Sequence, residues 1–124
     1  MRLSKRAFHR LAERCLAEIP KRFLKLLYNV EIDIKDSPGP EAGRWDGSDS
    51  LLGLYSGLTR ADMVTPFAAA QPPARVVLYQ RNIESRCAAP EELERLVRTT
   101  LRHELAHHFG FTDDQLREKW PEGA

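Results

Sequence analysis

Twelve consecutive residues, His103 to Asp114, read HELAHHFGFTDD and bring together three histidines and three carboxylates. Within them His103 and His107 stand four apart, a spacing that puts two side chains on one face of a helix, where both imidazoles can reach a single ion. Glu104 follows the first histidine directly and is carried around the helix, to stand beside such an ion rather than among its ligands. This is the HExxH arrangement, in which two histidines hold zinc and the glutamate handles the proton of an attacking water. Gly110 and Asp113 extend the pattern to HExxHxxGxxD. A glycine at that point lets the chain reverse, and Asp113 then returns as a third ligand, with Asp114 and Glu118 as the other carboxylates in reach. Two histidines and one carboxylate leave a fourth tetrahedral position open, as a catalytic zinc site requires.

The elements that must position these residues are legible around them. Pro90 suits a helix start, Glu91 and Glu92 follow in its first turn, and Leu93, Leu96, Val97, Thr100, Leu101 and Glu104 recur three or four apart. The spacing predicts one long helix from Pro90 that Gly110 ends in a left-handed conformation. At the other end of the chain Ser4 is a candidate N-cap. Phe8, Leu11, Ala12, Cys15, Leu16 and Ile19 mark an amphipathic helix over 4–19, and PKRFLKLLYN follows as a second, shorter one. Between the helices lie three candidate strands: VEIDIK with one wet face, LLGLYSG, and RVVLYQ. Gly53 and Gly57 in the second point to a bulge or a close backbone approach. The stretches DSPGPEAGRWDGSDS and Thr59 to Ala74 read as loops.

Composition bounds the rest. A chain of 124 residues suits one domain, 1–124, with one core. The formal net charge is +1, which gives no bulk reason to expect nucleic acid or an acidic polymer as partner. Basic residues do crowd the first helix, but no base-stacking aromatics accompany them, and a solvated outer face accounts for them. No stretch is apolar for long enough to cross a bilayer and none resembles a secretory signal, so the expected location is cytoplasmic. Cys15 and Cys87 have no CxxC spacing and are read as small reduced core residues. His9 is expected to face solvent, and His108 to lie behind the ligands or at the surface. Tyr55 and Tyr79 are read as packing residues, although a hydroxyl at either could steady an oxyanion.

IPKRFLKLLYNVEIDIKDSP, LLGLYSG, RVVLYQRNIE and VRTTLRHELAHHFGFTDDQL together resemble the small bacterial zincin-like metallopeptidases, a minimal gluzincin-type domain, over nearly the whole chain. The resemblance implies an α+β zincin-like fold: a small mixed sheet of about three strands packed against the motif-bearing helix, with an N-terminal helix behind. It further implies His103 and His107 as zinc ligands, Asp113 as the third, and Glu104 as catalytic base. Two departures bear on the third ligand. Larger metzincins follow a similar motif with a methionine turn, yet Met1 and Met63 both lie upstream here; gluzincins use a glutamate on a later helix, and Glu118 stands too near for a full return.

The function so implied is a zinc-dependent peptidase acting on peptides or unstructured protein segments, without a covalent intermediate, through a shallow and open site. A metal-bearing peptide-binding or regulatory module that does not turn over substrate is the alternative.

Overall fold

The computed structural model describes residues 2–25, 27, 30–57, 73–110 and 113–119; of the last segment, the side chains of residues 113, 116 and 119 lie outside that description. Most of the expected loop between the second and third strands also lies outside it. In chain order the elements are α1 (Lys5–Ala17), α2 (Lys21–Leu24), β1 (Val30–Lys35), a 3-10 turn (Pro40–Trp45), β2 (Gly53–Ser56), β3 (Ala74–Tyr79), α3 (Gln80–Glu84), α4 (Pro90–Phe109) and α5 (Asp113–Lys119).

Local chemistry sets the helix ends. The Ser4 hydroxyl accepts from the Ala7 N–H at 3.1 Å, satisfying one of the donors left open in the first turn of α1. Pro90 opens α4, and Gly110 closes it at φ 77°, ψ 19°, its N–H reaching back to the Ala106 and His107 carbonyls. A left-handed residue at that cap is cheap only for glycine.

The sheet has the order β1-β3-β2. β1 runs parallel to β3, with Ile32 opposite Val76, while β2 runs antiparallel to it, with Tyr55 opposite Val76. The central place of β3 explains its nearly unbroken apolar run, since a strand covered on both faces has no wet side to alternate with. α4 packs on β2 and β3 along one flank and on α1 along another. Phe8, Leu11 and Cys15 of α1, Val76 and Leu78 of β3, and Val97, Leu101 and Leu105 of α4 form one buried cluster. Fully burying side chains of this size contributes about 1.5–3 kcal/mol each. Arg98 of α4 adds a polar tie to α1, meeting Glu18 at 2.8 Å. Both cysteines are buried and unpaired with each other.

α3 departs from the sequence expectation, in which Gln80 ends a strand. Its Gln80, Asn82 and Glu84 are buried, and they are tolerated there because each has a distant backbone partner. Gln80 Nε2 donates to the Leu3 carbonyl at 2.9 Å, and the Leu3 N–H donates to Glu84 at 2.6 Å. Asn82 Nδ2 donates to the carbonyls of Ser48 and Leu51, at 2.9 and 2.8 Å. That last pair fixes the loop that delivers β2. No helix among the described residues is long and apolar enough to cross a membrane.

Candidate metal centre

α4 carries His103, Glu104 and His107 on its C-terminal half, shortly before its glycine cap. The potential ligand atoms of all three lie within 4.8 Å of one another. The two imidazole rings are 5.4 Å apart and nearly perpendicular. Zinc binds histidine nitrogen at about 2.0–2.1 Å, so two ligands of one ion stand no more than about 4.2 Å apart. The observed spread meets that limit with small side-chain rotations, and the donor set suits a borderline ion such as zinc. Among the described residues this is the one group of its kind.

Glu104 is half-buried and faces β2. Burial pushes its carboxyl above the usual range, while His107, His103 and the backbone N–H of Tyr55 oppose the shift. A carboxylate so placed is more basic than one in water.

β2 comes this close because residue 53 has no side chain. A Cβ there would stand 2.9 Å from Thr100 Cγ2, 3.1 Å from Glu104 Cγ and 3.2 Å from the Val77 carbonyl oxygen. The sequence signal of a close backbone approach at Gly53 thus has its object, the motif helix. Gly57, at φ 111°, makes the corresponding approach to Ala74. β2 is an edge strand. Because the Tyr79 N–H bonds the Leu52 carbonyl, the antiparallel alternation turns the backbone groups of Gly53 and Tyr55 away from β3. Beside the centre, Leu51, Leu52, Leu96, Thr99 and Thr100 line a cavity of about 250 Å3 whose floor includes His103 and Glu104.

Of the other residues singled out from the sequence, Asp113 begins α5, and its side chain lies outside the described set. Asp114 is exposed and bound to Arg117 at 2.6 Å, and Glu118 is exposed. Tyr79 is buried, and its hydroxyl donates to Glu41 at 3.1 Å. The Tyr55 hydroxyl meets His108 Nδ1 at 2.9 Å. Both hydroxyls are thereby engaged within the protein. His108 itself has no exposed surface, so of the two placements expected for it, behind the ligands or at the surface, the second is excluded. It continues the inward row of Val97, Leu101 and Leu105, and the Tyr55 hydroxyl supplies the polar contact that lets an imidazole sit there. His9 is exposed and pairs with Glu13.

The model of the zincin-like metallopeptidase family matches residues 27–121. The chain belongs to that family. The α+β architecture, with its small three-stranded mixed sheet, agrees with a zincin-like fold. Among solved structures, a conserved hypothetical protein from Thermo thermophilus is similar, with 24% sequence identity and a TM-score of 0.56, over 86% of this chain and 94% of that one. At that identity the likeness concerns the fold. No curated protein matches the chain.

Proposed function

We propose that this zincin-like protein is a zinc-dependent peptidase that hydrolyses extended or unstructured peptide segments. The observation that carries the reading is the convergence of His103, Glu104 and His107 beside an edge strand, with Glu104 half-buried against that strand. His103 and His107 would hold the ion, and Asp113, at the first position of α5, would complete the ligand set. Zinc bound there would supply Lewis acidity toward the scissile carbonyl and toward water. Glu104 takes the proton of the attacking water and delivers it to the leaving amine. The outward backbone groups of Gly53 on β2 can pair with an extended substrate, and the neighbouring cavity can take one apolar side chain. An open sheet edge of this kind favours unfolded segments over folded surfaces. The test is turnover of an unstructured protein substrate by zinc-loaded protein. Activity should vanish with a chelator, return with zinc, and be absent from Glu104→Gln.

A further inference from the structure

An edge-strand N–H that points away from its sheet ordinarily meets water. That of Tyr55 faces away from β3 on the edge beside Glu104, while the phenol of the same residue reaches the buried His108 one turn further along α4. The Tyr55 ring also lies 6.3 Å from the ring of His107 and 6.0 Å from that of His108. Backbone and side chain of one strand residue therefore face two successive turns of the motif helix. Ladder bonds to β3 fix β2 within the plane of the sheet but leave its approach to α4 to other contacts. The missing side chain at Gly53 permits that approach without enforcing it.

We propose that the Tyr55–His108 hydrogen bond is a latch that seats β2 on α4 so that the Tyr55 N–H holds one oxygen of Glu104 and leaves the other for its proton-transfer partner. Tyr55 and His108 are then positioning residues, and this part of the proposal rests on reading Glu104 as the base. A glutamate has three soft torsions, and a fixed donor on one oxygen removes most of that freedom before substrate arrives. His108 suits the role because its total burial shields its bond to the phenol from competing water.

Residue-resolved amide exchange of the metal-free protein tests the latch without any need for turnover. Tyr55→Phe removes one oxygen and little packing. It should speed exchange at position 55 by at least about tenfold while leaving Leu54, whose N–H bonds β3, unchanged. Glu104→Ala should speed the same amide alone, which identifies the acceptor. An unchanged rate at position 55 in Tyr55→Phe would overturn the proposal. So would equal acceleration at 54 and 55, since that reports only a weaker strand. In zinc-loaded protein Tyr55→Phe should lower kcat about tenfold with KM and zinc content unchanged. His108→Asn, which keeps a polar atom near the Nδ1 position, should lose less than His108→Leu. A wild type that holds zinc without turnover would remove Glu104 as base, and the exchange rates would still decide whether the latch exists.

Discussion

Replacing Gly53 by alanine tests whether β2 is seated on the motif helix as closely as described. The new Cβ would lie 2.9 Å from Thr100 Cγ2, about half an ångström inside the 3.4 Å at which ordinary contact begins. Thr100 is buried, so its methyl has little room to turn away, and the Val77 carbonyl at 3.2 Å blocks the other side. Overpacking of this kind costs about 1–3 kcal/mol. Alanine recovers about 0.5–1 kcal/mol through the backbone freedom that glycine brings to the unfolded chain. The expected net loss is about 0.5–2 kcal/mol, read by urea unfolding. Thr100→Ser deletes the clashing methyl, so the double variant should recover about 1 kcal/mol relative to the sum of the two single changes. Strictly additive losses would refute the close contact and, with it, the role assigned to Gly53.

Two further outcomes are expected. Asp113→Ala should weaken zinc binding, measured by competition with a chelating dye, by at least about tenfold, whereas Asp114→Ala and Glu118→Ala should change it little; equal losses would reject Asp113 as ligand. In Glu18, the hydrogen bond from Arg98 holds the carboxyl below its usual range, so its contribution is present above the unfolded-state pKa and lost as pH falls through the lower folded value. With both side chains partly exposed, Glu18→Gln should cost about 0.5 kcal/mol near neutral pH and progressively less as pH falls through the lowered folded value, and a cost independent of pH would contradict the pairing.

What could be read from the sequence was what local signals encode. Pro90 and Gly110 bound α4 because backbone geometry at both ends depends on single residues, and the four-residue interval between His103 and His107 fixes their common face whatever surrounds them. The alternation in VEIDIK likewise marked β1. Partners far apart in the chain were not legible. Gln80, Asn82 and Glu84 have polar side chains that suggest a surface, and besides the bond from Gln80 to Glu84 it is Leu3, Ser48 and Leu51, dozens of residues away, that make their burial tolerable. His108 is similar. It stands three residues after Leu105 on the inward row of α4, and the bond that its burial needs comes from Tyr55, 53 residues earlier. The edge position of β2, which exposes its backbone beside Glu104, depends on strand order and has no local signature.

The central claim is that His103 and His107 hold a zinc ion whose chemistry Glu104 completes as base. The most direct measurement compares zinc-loaded wild type with zinc-loaded Glu104→Gln on one unstructured protein substrate, after elemental analysis of both. The side chain of Glu104→Gln keeps its size and can still hydrogen-bond, but it cannot take a proton. The expected result is about one zinc per chain in each protein, with peptide-bond cleavage by the wild type and a rate at least about a thousandfold lower in the variant. Equal rates, or stoichiometric zinc in a wild type that cleaves nothing, would contradict the account.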